Sequence, residues 1–157
     1  MKIALILAAI MLIGVASAER EYAKVNGFNV SFDINQSHDT VIDTGDGING
    51  SLAIRTFEGS FTYYLVQYPK PLLLNSTWLS DNLIALSTNG IPAEQIDVDT
   101  IKGIFIISMS NDTGEPIYGV IYYPYIQAGK TNTFVSVTST LPFYTTADLL
   151  RTIKIAV

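Results

Sequence analysis

The chain has 157 residues, with nine basic and fourteen acidic side chains and a formal net charge of −5. An acidic protein without a cluster of lysine or arginine repels the phosphate backbone, which argues against nucleic-acid binding. The chain contains no cysteine, so disulfides and thiolate metal sites are excluded. Hydrophobic residues make up 48% of the sequence, which is typical of a folded chain rather than a disordered one.

The first eighteen residues have the three parts of a cleavable secretory signal peptide. Lys2 supplies the positive charge, residues 3–15 are apolar, and Ala16-Ser17-Ala18 forms a cleavage site of small residues. An uncleaved membrane anchor is disfavoured, because a spanning helix needs about 20 apolar residues. We therefore expect a secreted, extracellular or cell-envelope protein. Its mature part, residues 19–157, is expected to be one domain with no membrane span.

The first part of the mature chain predicts three strands. Apolar and polar side chains alternate in Phe28–Ile34, which predicts a strand with one buried and one solvated face. Leu52–Phe57 and Phe61–Tyr68 predict a hairpin with a turn of three residues between them. Pro69 and Pro71 are expected to end this hairpin.

A helix is predicted next, ending at about Thr88. Its leucines recur at helical spacing, and Asn75 or Ser76 can cap its start. Asn89-Gly90 can cap its end.

The second part of the chain predicts more strands and a closing helix. The strands are expected to be separated by turn residues at positions 111–116. Thr145-Thr146-Ala147-Asp148 fits a variant of the capping box, and the apolar residues that follow, up to Val157, predict the buried stripe of a helix. The predicted strands are Gln95–Ile101, Gly103–Ser110, Ile117–Ile126 and Asn132–Leu141.

These elements predict an α+β fold, with an antiparallel β-sheet of about six strands and two helices packed on it. Their order resembles the Mog1/PsbP-like α/β/α sandwich. The resemblance lies in GFNVSFDI (27–34), in IDVDTIKGIFIIS (96–108), and in FVSVTSTLP (134–142) running into TTADLLRTIKI (145–155). It implies a terminal helix packed on the sheet and a binding or assembly factor, exported in many members. The superfamily shares no catalytic residue set, so none is carried over.

The polar stretch from Asn35 to Gly50 could hold a calcium ion. It contains the oxygen ligands Asp39, Asp43, Asp46 and Asn49 at short spacing, and such ligands suit Ca²⁺. The pattern is not that of an EF-hand. A solvated acidic loop is the alternative, because Asp and Asn are common in turns.

The same stretch matches G-x-G-x-x-G from Gly45 to Gly50. This motif binds dinucleotides only where a strand leads into a helix. Ser51–Phe57 predicts a strand instead, so a glycine-rich turn is the preferred interpretation.

The motifs of common hydrolases are missing from the sequence. His38 is the only histidine, and neither G-x-S-x-G nor H-E-x-x-H occurs. Asp97 and Asp99 are a carboxylate pair, but their spacing places them on the solvated face of one strand. We therefore assign no catalytic residues.

The Asn-x-Ser/Thr sequon for N-glycosylation occurs five times. In an exported protein such asparagines are glycan acceptors on the surface. Coincidence in a chain rich in Ser, Thr and Asn is the alternative. The five candidate acceptors are Asn29, Asn35, Asn49, Asn75 and Asn111.

Four tyrosines, Tyr118, Tyr122, Tyr123 and Tyr125, lie close together. Alternation places them on both faces of one strand, which predicts a central strand covered on both sides. Core packing is the preferred interpretation, and an aromatic platform for a glycan or protein is the alternative.

The sequence therefore favours an exported, non-enzymatic domain that binds an unknown protein or glycan at the cell surface or in the envelope. One alternative is a Ca²⁺-dependent or glycan-binding module that uses the Asn35–Gly50 stretch. A second alternative is an extracellular hydrolase.

Overall fold

The structure is a computed structural model that describes residues 19–43, 49–73, 76–98, 101–124 and 130–156. These ranges contain ten strands and two helices. The strands are β1 Glu19–Val25, β2 Phe28–Ile34, β3 Asp39–Asp43, β4 Asn49–Thr56, β5 Gly59–Leu73, β6 Ala93–Val98, β7 Ile101–Met109, β8 Pro116–Tyr122, β9 Lys130–Ser139 and β10 Lys154–Ala156. The helices are α1 Ser76–Thr88 and α2 Phe143–Thr152.

The strands form two antiparallel sheets. A large sheet of seven strands has the order β3-β4-β5-β9-β8-β7-β6, and a small sheet of three strands has the order β1-β2-β10. The large sheet joins the meander β3-β4-β5 to the meander β6-β7-β8 through β9, which pairs with both β5 and β8. The signal-peptide prediction falls on residues 1–18, which lie outside the described residues.

The predicted fold class is wrong. Over the described residues the protein is β-rich, with sheets of three and seven strands and two helices, rather than one sheet of about six strands carrying two helices. A small sheet covers part of one face of the large sheet, so the layers are not those of an α/β/α sandwich. The resemblance to the Mog1/PsbP-like family stays a prediction.

Three strands escaped prediction because their own residues carry little hydrophobic signal. Only Ala23 and Val25 are buried in β1, and all five residues of β3 are exposed. β10 has three residues, and it occupies the end of the predicted closing helix. These strands form through pairing with a neighbour, because β1 and β10 both pair with β2 and β3 pairs with β4.

The remaining predictions of secondary structure are mostly confirmed. The strand Phe28–Ile34 alternates between buried and more exposed residues along its whole length. Helix α1 ends in a Schellman motif, since the N–H of Ile91 donates to the oxygen of Leu86 and that of Gly90 donates to Ser87. Gly90 has the positive φ of 71° that this motif requires. β8 is a central strand, as its tyrosine pattern predicted.

Two details differ from prediction. β5 continues past Pro69 and Pro71 to Leu73, and its pairing with β9 shifts register between Gln67 and Leu72. The prolines thus lie in an irregularity of the ladder, where proline is tolerated. Helix α2 begins at Phe143, two residues before the predicted capping box, and Pro142 stands at its N-cap.

One hydrophobic core lies between the two sheets and α2. The inner face of the large sheet is the face that carries the aligned row Leu52, Tyr63, Val137, Val120 and Phe105, one residue from each of β4, β5, β9, β8 and β7. All five are buried. The small sheet covers this face over β3 and β4, and α2 packs beside β2. Helix α1 contacts β6 and β7, and its Trp78 meets Tyr123 on the opposite, outer face.

Candidate functional site

The inner face of the large sheet is wider than its cover. The small sheet and α2 lie over its first strands and its middle, which leaves a groove between α2 and the last strands. This β6–α2 groove has a volume of about 170 Å³. The sheet lines it with Glu94, Ile96 and Phe105, and α2 lines it with Phe143, Thr146, Ala147, Leu150 and Arg151.

Aromatic rings close one end of the β6–α2 groove. Phe105 stacks on Tyr118, with ring centroids 6.0 Å apart and an interplanar angle of 17°. Phe143 meets both rings edge-on, at 6.2 Å and 5.6 Å, and Tyr144 meets Phe143 at 5.7 Å. Phe143 remains 48% exposed and Tyr144 81% exposed. This aromatic cluster is therefore ordered by ring contacts and still open to solvent.

The apolar surface continues along the sheet from the groove. A second depression shares Glu94 and Phe105 with the groove and adds Pro92, Ala93 and Ile107. Ile107 is 39% exposed, and Met109, two residues further on the same face of β7, is 59% exposed. Contiguous exposed apolar surface on a globular domain marks interaction sites.

Buried hydroxyl groups fix the start of α2 against the end of β9. The Oγ of Ser139 and the Oγ1 of Thr146 lie 2.7 Å apart, and both residues are buried. The N–H of Leu141 donates to Ser139 at 3.2 Å, and the Thr146 hydroxyl donates to the oxygen of Leu141 at 3.3 Å. These bonds hold the turn between β9 and α2 in one geometry.

The other end of α2 is fixed to β2. The N–H of Asp33 donates to Oγ1 of Thr152 at 3.1 Å, and Arg20 donates to the carboxylate of Asp33 at 2.6 Å. The hydrogen bond from Arg20 lowers the pKa of Asp33, so this exposed pair keeps its charge to a lower pH than an isolated aspartate would. Because both ends of α2 are held, the wall of the groove is positioned before any ligand arrives, and preorganisation reduces the cost of binding.

Strand β6 forms the open edge of the large sheet beside the groove. The N–H of Ile107 donates to the oxygen of Pro92 at 3.1 Å, which marks residues 92 and 107 as a hydrogen-bonded pair. Such pairs alternate along an antiparallel ladder, so the backbone groups of Glu94 and Ile96 also point to β7. The N–H and C=O groups of Ala93 and Gln95 therefore point away from β7. Within the described ranges, β6 pairs with no second strand.

The structure separates two of the calcium candidates, Asp39 and Asp43. Asp39 and Asp43 stand at opposite ends of the exposed strand β3, and four residues of extended chain span about 13 Å. A single ion cannot bind both. Asn49 is exposed at the start of β4, and Asp46 lies outside the described residues. In the part of the chain that the structure describes, no three His, Cys, Asp or Glu side chains are grouped to hold a metal.

The G-x-G-x-x-G match leads into a strand. Residues 45–48 lie outside the described ranges, while Asn49 and Gly50 already belong to β4. The motif therefore precedes a strand and lacks the helix that a pyrophosphate site needs.

The candidate tyrosines contribute to packing. Tyr122 is 3% exposed and donates its hydroxyl to Tyr63 at 3.0 Å, and burial raises its pKa. Tyr123 is 6% exposed, and burial raises its pKa to about 12. Tyr118 is half-buried in the aromatic cluster, and Tyr125 lies outside the described residues.

The candidate glycan acceptors that the structure describes are all exposed. They occupy the solvated side of β2, the segment after it, the start of β4 and the turn after β7. Asn75 lies outside the described residues. The exposed acceptors are Asn29, Asn35, Asn49 and Asn111.

His38 lies at a polar depression. Its Nδ1 is 3.0 Å from the oxygen of Gln36, and its ring meets Phe32 edge-on at 6.3 Å. Glu19 and Glu21 line the same depression of about 350 Å³. Its wide mouth and polar lining contrast with the apolar β6–α2 groove.

No known protein family, curated protein or solved structure matches this chain. Among the described residues, neither helix is long and apolar enough to cross a bilayer.

Sequence reasoning missed the β6–α2 groove. One signal was present in α2, where Thr146 and Leu149 are buried, as is Ile153 just after the helix, while Phe143, Ala147 and Leu150 form a second stripe at helical spacing. A helix that packs on one face needs a single apolar stripe, so the second stripe indicates another apolar surface. The second stripe lines the groove.

Proposed function

We propose that this chain is an exported, non-enzymatic binding domain and that the β6–α2 groove, with its aromatic cluster, is the surface that holds the partner. The observation that carries the proposal is the uncovered apolar end of the inner face. Phe143, Tyr144, Ile107 and Met109 are all substantially exposed there, although the rest of this face is packed beneath the small sheet and α2.

Energetics support a binding role for this surface. Each square ångström of apolar surface removed from water contributes about 25 cal/mol, and the exposed rings and aliphatic side chains are adjacent. The groove wall is held at both ends by hydrogen bonds, so a partner would not have to order α2. Aromatic residues and Met are also enriched at protein interfaces.

Site-specific crosslinking tests the location of the binding surface. A photoreactive benzoylphenylalanine replaces Ala147 inside the groove in one variant and the exposed Tyr64 on the outer face of β5 in the control. Both proteins are expressed in the native host and irradiated. We expect a discrete adduct from position 147 and none from position 64. The same adducts from both positions, or no adduct from position 147, would contradict the proposed site.

Export and glycosylation have a separate test. Mass spectrometry of the native protein should find an N-terminus at Glu19 and added hexose on one or more of the exposed sequon asparagines. A protein that retains residues 1–18 would refute the export proposal, and an unmodified mass would refute glycosylation. Neither result bears on the groove.

The calcium alternative is tested independently. Calorimetric titration of the exported protein with CaCl₂ should give no heat if Asp39 and Asp43 are only solvent-exposed carboxylates on the edge strand β3. Heat together with a higher melting temperature would revive a calcium module in the Asn35–Gly50 stretch.

A further inference from the structure

We propose that the partner is an extended peptide segment that adds to β6 as an eighth strand of the large sheet, with an apolar residue over Ile96 and a basic residue beside Glu94. This inference rests on the proposed function and specifies what the groove recognises. It follows from three features that coincide at β6: an open backbone edge, an apolar groove beside it, and the carboxylate of Glu94, since the groove's Arg151 is already paired with Asp148 at 3.0 Å.

The backbone geometry favours a strand as the bound form. The N–H and C=O groups of Ala93 and Gln95 point to the open edge, as the hydrogen bond from Ile107 to Pro92 established. An added strand would exchange hydrogen bonds with these groups, which is the β-augmentation mode of peptide recognition. Because it lies at the sheet edge, β6 can accept a peptide without losing its bonds to β7.

The side-chain geometry sets the pattern of the peptide. Glu94 and Ile96 face the groove, and both would stand in non-hydrogen-bonded pairs with the added strand, where side chains approach most closely. Peptide residues opposite them therefore point into the groove, two positions apart. The residue opposite Ile96 would rest against Ala147 and Leu150 of α2. The intervening residue would lie beside Gln95 on the other face, so a polar residue suits it.

Charge distinguishes a basic peptide from a second copy of this chain. The sequence of β6 is AEQIDV, which has two acidic residues and no basic one. Pairing of two β6 strands would bring four carboxylates onto one seam, and opposed like charges destabilise a sheet. A peptide with Lys or Arg beside Glu94 gains an ion pair at the same place.

The other open edges lack this combination. All five residues of β3 are exposed, and β1 carries four charged side chains among its seven residues. β10 has only three residues. Short or charged edge strands are a usual protection against unwanted pairing, whereas β6 has six residues beside an apolar groove.

The experiment begins with random heptapeptides displayed on phage and selected on the exported protein. We expect enriched sequences in which an apolar residue and Lys or Arg are two positions apart. Enrichment of helical i, i+3, i+4 patterns, or no enrichment, would overturn the proposal.

The best peptide is then synthesised with a single N-methyl group at each amide in turn. Methylation of alternate amides, those that face β6, should reduce the affinity at least tenfold. Methylation of the intervening amides should change it less than threefold. Equal sensitivity at every amide, or no sensitivity, would overturn strand addition.

Variants of β6 test the same hydrogen bonds from the protein rather than from the peptide. Gln95→Pro removes one N–H from the open edge without removing a bond to β7, and proline is tolerated at such positions. We expect Gln95→Pro to weaken peptide binding at least tenfold and the control Gln95→Ala to change it less than threefold. Glu94→Lys should weaken the binding of the basic peptide and strengthen the binding of a peptide that has Glu in place of its basic residue.

The variant Ala147→Glu separates the two proposals. If it abolishes binding while N-methylation and Gln95→Pro have no effect, the groove is the binding surface but the ligand is not an added strand. If it has no effect while crosslinks from position 147 are also missing, the proposed function itself fails. If Gln95→Pro does not fold, the N-methyl series still decides the inference.

Discussion

The two central glycines of the large sheet offer a sharp test of how tightly β7 and β8 are packed. Gly103 in β7 lies on the inner face opposite Tyr122. A Cβ at this position would collide with the carbonyl oxygen of Ile121 and would lie 2.8 Å from the Cβ of Tyr122. Gly119 in β8 faces the other way, and a Cβ there would be 3.4 Å from its nearest neighbour, the Cβ of Ile106.

We therefore expect opposite effects from the same substitution. Gly103→Ala forces a backbone group to move, and overpacking of this kind costs about 1–3 kcal/mol. The obstruction is main chain rather than a flexible side chain, so we expect the upper end, about 3 kcal/mol. Gly119→Ala meets no such obstruction and should gain about 0.5 kcal/mol by reducing the entropy of the unfolded chain. The two variants should differ by roughly 3.5 kcal/mol, or about 10 °C in Tm.

Urea unfolding followed by tryptophan fluorescence is a suitable assay. Trp78 is the only tryptophan, and its ring lies edge-on against Tyr123 with centroids 4.9 Å apart, so its emission reports the packing of α1 on the outer face. Wild type, Gly103→Ala and Gly119→Ala should share one m value and differ in midpoint. Equal midpoints for the two variants, or a more stable Gly103→Ala, would refute the close approach of β7 and β8.

Three further predictions concern buried and paired groups. Thr146→Val removes a buried hydroxyl that bonds to β9 and should lower the free energy of unfolding by about 1–3 kcal/mol. The control Thr138→Val, at an exposed position, should change it by less than about 0.5 kcal/mol. Equal urea midpoints for the two variants would contradict a stabilising role of the Thr146 hydroxyl. Burial raises the pKa of Tyr122 and raises that of Tyr123 to about 12, so their contribution to stability is present below the unfolded value of about 10 and is lost as pH rises above it. Urea midpoints that do not fall between pH 9 and pH 11 would be inconsistent with this burial. The hydrogen bond from the Arg20 guanidinium lowers the pKa of Asp33, so the contribution of Asp33 to stability is present above about pH 4 and is lost as pH falls through the folded pKa. The stability of Asp33→Asn should therefore depend less on pH in this acidic range. An unchanged pH profile would argue against the pairing of Arg20 with Asp33.

The sequence by itself determined the local elements with strong periodicity or clear turn chemistry. The alternation in Phe28–Ile34 predicted β2, and the leucine spacing followed by Asn89-Gly90 predicted α1 and its end. The double-sided apolar pattern around Tyr118 predicted a central strand. In each case the residues that carry the signal lie within one element, so the side-chain pattern that predicts the element is also what buries one of its faces.

The tertiary structure alone decided the number of sheets and the location of the groove. β3 shows no buried residue and β10 has three residues, so each owes its form to a partner strand that local pattern does not reveal. The apolar stripe of Phe143, Ala147 and Leu150 became a groove only because the small sheet covers one end of the inner face and leaves β6 open. Which apolar residues remain uncovered depends on the widths of packed layers, and layer width is a property of long-range strand pairing rather than of any one segment.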